Sequence, residues 1–235
     1  MNTERVDAKV FSDAVILRGA QHVEAGFLSG RFDAINIGPR EAERQTYLAL
    51  LEEVAALEAE GNFAKALRLR ERAESLLEEK WRAEAPNHVT NEGAQLALDT
   101  FLAGSGYTVV GPFMGLISSV SYSTTAITDT AAGINGANGW KEAGSSTNFP
   151  LYTTPRKTAA WAAASNKSKA LSAALPFPII TTGGTVKGSF LIYGPSAVST
   201  IADTNGKLYS AGVFSGGDKV VEVGDTLNVS YTATL

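Results

Sequence analysis

The chain has 235 residues, 44% hydrophobic and 19% charged, enough for one large soluble domain or two small ones. Its net charge of −4 disfavours a nucleic-acid partner, because binding to phosphates needs a basic face. Cysteine is absent, which excludes disulfides and thiolate chemistry, and no apolar run is long enough to predict a membrane span. The first residues, 1–7, lack the basic start and apolar core of a secretion signal.

Charge is unevenly distributed along the chain. Residues 1–84 contain 12 of the 20 Lys and Arg residues and 16 of the 24 Asp and Glu residues. The remainder is rich in Gly, Ser, Thr and Ala. We therefore predict an α+β protein with three units. These are an N-terminal arm over residues 1–37, a helical hairpin over residues 38–86, and an antiparallel β-sandwich with one short helix over residues 87–235.

The apolar residues of the first 37 positions are loosely spaced and interrupted by glycines. Two interpretations are open. The segment can form short strands or loops on the domain surface, or it can be an arm that becomes ordered only against a partner. In the second case its apolar side chains lack a local core, and Phe11, Ile16, Phe27 and Phe32 are candidate contacts with that partner.

A helical pattern follows Pro39, which suits the first turn of a helix. A second helix is predicted from about Phe63 to Trp81, after a break at Gly61-Asn62. The segment 61–66 is similar to half of a tetratricopeptide repeat, but no second copy occurs, and a solenoid needs about three repeats. We expect the hairpin to pack on itself or on a second subunit, which is compatible with a dimer or a trimer.

The β half begins with a short helix from Asn91 to Ala103. About seven short strands follow without intervening helices, and this pattern predicts an antiparallel sandwich or barrel. The candidates are residues 112–120, 157–164, 169–175, 185–193, 207–214, 220–223 and 225–235. In the last one Leu227, Val229 and Tyr231 alternate with polar residues, which is typical of a strand with one buried face.

The sequence contains no pattern that predicts catalysis or metal binding. His22 and His88 have no second ligand at helix or hairpin spacing, so a zinc site is not expected. The glycines at 133, 136 and 139 lack the strand and helix of a phosphate-binding loop. No serine lies in a nucleophile elbow, and no loop has the acidic spacing of a calcium site. We expect no enzymatic activity, no metal and no cofactor.

Three aromatic residues, Trp140, Phe149 and Tyr152, lie in or beside a long polar stretch over residues 121–148. If they are exposed on a loop, they are candidate contacts with a carbohydrate or a protein. The alternative is that they fold back and cap the sandwich.

Several short motifs follow in order along the C-terminal two thirds of the chain. They are N-E-G-x-x-L-x-L-D at Asn91 to Asp99, G-L-I at Gly115 to Ile117, G-W at Gly139-Trp140, T-P-R at Thr154 to Arg156, G-S-F-L-I at Gly188 to Ile192, a strand ending at Phe214, and G-D-T-L-N-V-S-Y-T at Gly224 to Thr232. The series resembles a family of small virion proteins of tailed bacteriophages, over residues 88–235. The first third of the chain resembles an added module.

The resemblance implies a non-enzymatic structural protein that is located in the virion after assembly in the host cytoplasm. The expected role is capsid decoration, as a cement or head-fibre protein that binds the major capsid protein or another virion protein and stabilises the shell. Two alternatives stay open: a tail- or fibre-associated protein that binds a host receptor, and a free carbohydrate-binding module. No nucleic acid and no membrane are expected as partners.

Overall fold

The computed structural model of the chain describes residues 29–101, 111–153 and 155–234. These ranges contain three helices and eleven strands, so the fold is mixed α+β, as predicted. The helices are α1 (Arg44–Ala59), α2 (Phe63–Glu74) and α3 (Asn91–Phe101). The strands are β1 (Ser29–Pro39), β2 (Leu77–Val89), β3 (Phe113–Ser118), β4 (Leu151–Tyr152), β5 (Lys157–Thr158), β6 (Ser168–Ala170), β7 (Leu175–Thr182), β8 (Gly184–Tyr193), β9 (Lys207–Val213), β10 (Lys219–Val221) and β11 (Thr226–Thr234).

The described strands form one antiparallel sheet in the order β4-β7-β11-β1-β2-β9-β8-β3-β5. β6 pairs with β11 beside β7, and β10 pairs with β8 beside β9. The sheet curls into a half-barrel, so the predicted two-layer sandwich is not confirmed.

The two longest strands hold the halves of the sheet together. β1 pairs with β11 along one side and with β2 along the other. β2 changes partner along its length, because its residues up to Pro86 pair with β1 and its last three residues, Asn87 to Val89, pair with β9. Segments that the sequence assigned to an arm and to a helical module therefore lie at the centre of the sheet.

Two predictions are corrected here. Residues 29–37 of the predicted arm are a strand of the core sheet, and Phe32 is fully buried there. The second helix ends at Glu74 instead of Trp81, so the helical hairpin over 38–86 is not confirmed either. Residues 77–89 favour a helix by composition, but their pairing with β1 and the burial of Ala83 and Ala85 at period two override that preference.

The sheet is covered by apolar side chains on both faces where β3, β8 and β9 lie. Leu191 belongs to the main core cluster, whereas its neighbours Phe190 and Ile192 belong to a second cluster. Because successive side chains of a strand point to opposite faces, the two clusters lie on opposite sides of the sheet. The long segment 119–150 covers the second cluster and contributes Ile134 and Trp140 to it.

Candidate functional site

The predicted partner contacts do not form one surface. Phe32 is in the main core, with its ring 4.7 Å from that of Tyr231. This burial removes Phe32 from the set of candidate contacts. Phe11, Ile16 and Phe27 lie outside the described residues, and their assignment remains a prediction.

The predicted loop contacts are also largely internal. Trp140 is 1% exposed, and its indole N–H donates to the carboxylate of Asp129 at 2.7 Å. Tyr152 is fully buried in the main core, where its ring contacts that of Phe177 edge-on at 5.0 Å. Phe149 remains exposed. A surface platform made by these three aromatic residues is therefore wrong, because two of them pack in two different core clusters.

An apolar pocket of about 500 Å³ lies at the end of the sheet where β1 begins. Aromatic rings from Trp161, Tyr193 and Tyr209 line it, together with side chains of α3 and the end of β11. We call this cavity the tyrosine pocket. A cavity of this size can accept a small ligand or an apolar side chain of another protein segment.

Helix α3 forms one wall of the tyrosine pocket because it packs closely on β9. Gly93 makes this approach possible, since a Cβ atom at this position would lie 2.3 Å from the carbonyl oxygen of Tyr209. Thr90 caps the helix, and its hydroxyl accepts from the N–H of Gly93 at 3.1 Å. The glycine of the N-E-G motif thus has a packing role.

The groups around the tyrosine pocket suit binding better than catalysis. The rings of Tyr193 and Tyr209 are 5.0 Å apart, and burial raises the pKa of both hydroxyls, so both stay protonated at neutral pH. Lys169 is the only charged side chain among the described residues that line it. The arrangement offers an apolar, aromatic surface with one cation, Lys169.

A buried ion pair joins three loop segments on the far side of the sheet. Arg156 and Glu142 have fully buried side chains and form two parallel hydrogen bonds of 2.7 Å each. The guanidinium also donates to the carbonyl oxygens of Val198 and Asp203, and the N–H of Ala202 donates to the Glu142 carboxylate. Burial raises the pKa of Glu142, and Arg156 acts against that rise. All these partners belong to the protein itself, so the ion pair holds the three loop segments together.

A second ionic cluster attaches α1 to the sheet. The carboxylate of Asp225 is almost fully buried and accepts from the amide of Asn36 at 2.8 Å. Arg44 and Lys80 each approach it at 3.4 Å, and Arg44 also donates to the carbonyl oxygen of Val223 at 2.6 Å. The Asp225 carboxylate is thus paired within the chain, whereas the side-chain oxygen of Asn36 is buried without a hydrogen-bond partner.

None of the helices in the described ranges is long and apolar enough to cross a membrane. Those ranges also contain no group of three His, Cys, Asp or Glu side chains placed to hold a metal ion.

Sequence reasoning missed the tyrosine pocket. Tyr193 and Tyr209 lie on adjacent strands, but their 16-residue separation gives no sign of pairing, and Trp161 and Lys169 come from other parts of the sheet.

A scan of the chain against protein-family models finds no match. Searches of the curated proteins and of the solved structures find no match either.

Proposed function

We propose that the chain is a non-enzymatic structural protein of a tailed-bacteriophage particle, and specifically a decoration protein that binds the major capsid protein and stabilises the shell. One observation carries the proposal: the polar residues of the motifs that resemble the phage virion family serve to hold this fold together.

Those residues are Glu92, Trp140, Arg156 and Asp225, one from each of four motifs. Glu92 accepts from the N–H groups of Ala131 and Leu208 at 2.9 and 3.0 Å, and so ties α3 to the long loop and to β9. The other three residues also form hydrogen bonds within the protein: Trp140 with Asp129, Arg156 with Glu142, and Asp225 with Asn36. Residues that an enzyme would aim at a substrate are bonded here to the protein itself. This supports a scaffold role for the motifs.

We place the capsid contact at the end of the sheet that holds the tyrosine pocket. The segment 1–28 joins the sheet at Ser29, which pairs with Thr234, and the adjacent Ala233 lines the pocket. Three of the four predicted contacts, Phe11, Ile16 and Phe27, lie in that segment. Apolar side chains in the segment that precedes Ser29, together with an apolar pocket at this end of the sheet, suit a contact made by burying area on another protein.

Decoration acts by repetition of such a contact. Each copy bridges neighbouring capsid subunits, and a modest binding free energy per copy adds up over a symmetric shell. The loop contacts predicted for the tail-fibre and carbohydrate-binding alternatives were Trp140, Phe149 and Tyr152. Trp140 and Tyr152 are buried and Phe149 alone is exposed, so no aromatic platform supports these alternatives and we propose no second function.

The first test is binding to particles assembled without this chain, measured by co-sedimentation of added purified protein. Replacing Phe11, Ile16 and Phe27 together by serine is expected to weaken binding at least about tenfold. Each buried apolar side chain contributes about 1.5–3 kcal/mol, and tenfold corresponds to about 1.4 kcal/mol.

The matched control changes three polar residues of the same segment, Thr3, Asp7 and Gln21, to alanine. It should bind like the unchanged chain. Near-UV circular dichroism should be the same for all three proteins. If the serine variant sediments with particles as well as the control does, segment 1–28 is not the anchor. If the unchanged chain does not sediment with particles at all, the decoration function itself is wrong.

A further inference from the structure

Helices α1 and α2 form an excursion between the neighbouring strands β1 and β2. α2 folds back on α1, and the two pack through Val54, Leu57 and Ala66, with Leu69 against them. Most of the other side chains on both helices are exposed. The pair therefore presents an outer surface that the described residues leave uncovered.

One side of this surface is apolar. Leu51, Ala55 and Glu58 of α1 are spaced i, i+4 and i+7, which places them in one stripe along the helix. Phe63, Leu67 and Arg70 of α2 have the same spacing. Arg70 and Glu58 are ion-paired, so the two stripes lie on the same side of the helix pair. We call this side the apolar helix face.

The exposure of this face is large for its residue types. Phe63 is 68% exposed, Leu67 is 56% exposed and Leu51 is 37% exposed. Scattered single apolar residues are normal on a surface, but these three share one face with Ala55. Such a grouping marks an interaction surface.

The opposite side of the helix pair is polar. Glu53 is two residues from both Leu51 and Ala55, and Lys65 is two residues from both Phe63 and Leu67. Two residues correspond to about 200° of helical rotation, so this second pair points away from the apolar helix face. Glu53 and Lys65 form an ion pair of 3.3 Å there. The apolar side is therefore a distinct face and not a general property of the helices.

We propose that the apolar helix face binds a second copy of this chain, with α1 of one copy packed on α2 of the other in a four-helix arrangement. The charges select this partner. In the two stripes as defined above, α1 carries one carboxylate, Glu58, and α2 carries one guanidinium, Arg70. Packing α1 of one copy on α2 of the other brings Glu58 against Arg70, while α1 on α1 opposes two carboxylates.

The ion pair between Glu58 and Arg70 fits the same arrangement. In a two-fold symmetric contact every pairing occurs twice. Glu58 of the first copy then faces Arg70 of the second, and Arg70 of the first faces Glu58 of the second. Four charges of alternating sign then lie beside the apolar contacts of Leu51, Phe63 and Leu67. This inference concerns the purified chain and does not depend on the proposed capsid function.

The test is the mass of the full chain in solution, measured by sedimentation equilibrium over a concentration series. The unchanged chain should reach twice its 24.6 kDa mass. Leu67→Lys places a charge in the centre of the interface and should raise the dimer dissociation constant at least about tenfold.

Ala56→Lys is the matched control. Ala56 is exposed on α1 and is two residues from Glu58, so it points away from the apolar helix face. It should leave the dissociation constant unchanged. Arg70→Glu should weaken the dimer, and adding Glu58→Arg should restore it. Urea unfolding of each variant shows whether it is folded.

Two results would overturn the proposal. One is a monomer of the unchanged chain at about 100 µM, a concentration at which weak specific dimers still form. The other is a dimer that Leu67→Lys leaves intact. If the chain is monomeric and Leu67→Lys instead loses binding to phage particles, the face docks on a virion protein and not on a second copy.

Discussion

Replacing Arg156 by methionine is expected to lower the free energy of unfolding by about 3–5 kcal/mol, because it leaves the carboxylate of Glu142 buried without its cationic partner. Methionine retains much of the side-chain volume, so the loss reports the charge and not a cavity. The measurement is urea unfolding followed by tryptophan fluorescence at neutral pH.

The loss should depend on pH in a defined direction. Burial already raises the pKa of Glu142 in the folded protein, and removing Arg156 raises it further. A carboxyl with a folded pKa above its unfolded value, about 4.3, favours folding below that value and opposes it above the folded pKa. The deficit of the variant should therefore be full at high pH and shrink as the pH falls through the folded pKa, where Glu142 becomes neutral.

Arg82→Met is the matched control, because Arg82 pairs with Glu79 on the exposed surface. It should change stability little at any pH, since exposed ion pairs contribute little. Equal effects of the two substitutions, or a deficit for Arg156→Met that grows on acidification, would show that the buried Arg156–Glu142 pair does not stabilise the fold.

Replacing Trp140 by alanine is expected to cost about 3–5 kcal/mol of unfolding free energy. The indole contacts the ring of Phe190 at 5.2 Å between centroids and donates to Asp129. The substitution therefore leaves a cavity and removes one of the hydrogen bonds of the buried Asp129 carboxylate, which keeps the bond from the N–H of Ala126. The same loop supplies the control, Ile127→Ala, which changes a side chain that is half exposed.

Thermal and urea unfolding of both variants separate the two interpretations of this aromatic residue. Ile127→Ala should cost less than about 1 kcal/mol, as substitutions on the surface do. If Trp140→Ala is equally mild, Trp140 does not pack on the sheet, and its predicted role as an exposed loop contact is restored.

The last strand shows what local patterning can predict. Leu227, Val229 and Tyr231 are fully buried, and the polar residues between them are partly exposed, as the alternation indicated. The short helix from Asn91 was also predicted, although Thr90 and not Asn91 provides the cap. In both cases neighbouring residues carry the whole signal, so no knowledge of distant partners was needed.

β1 shows why the same approach failed near the start of the chain. Its inward positions hold Phe32, Ala34 and Asn36, a set that includes a small residue and a polar one. Asn36 is acceptable there only because Asp225, 189 residues later, accepts its N–H. A local pattern cannot contain such a partner, and the strand was therefore predicted as part of an arm. Deleting residues 1–37 would remove the central strand of the sheet.

The buried ion pair, the Asp225 cluster and the tyrosine pocket could not be predicted for a related reason. Arg156 lies in one of the sequence motifs, but no local pattern links it to its partner Glu142, 14 residues earlier. Both features depend on which strands become neighbours, and curling of the sheet decides that. β7 was missed because Pro176 and Pro178 disfavour a strand, yet it pairs with β11.

The copy number of the chain in purified phage particles tests the central proposal most directly. Quantitative mass spectrometry of tryptic peptides, scaled to the major capsid protein of the same particles, gives that number. A decoration protein should be present at a ratio to the capsid protein near one to one, or one to a few. A handful of copies per particle, or none, would contradict the decoration function; a handful would place the chain at the tail or at a single vertex.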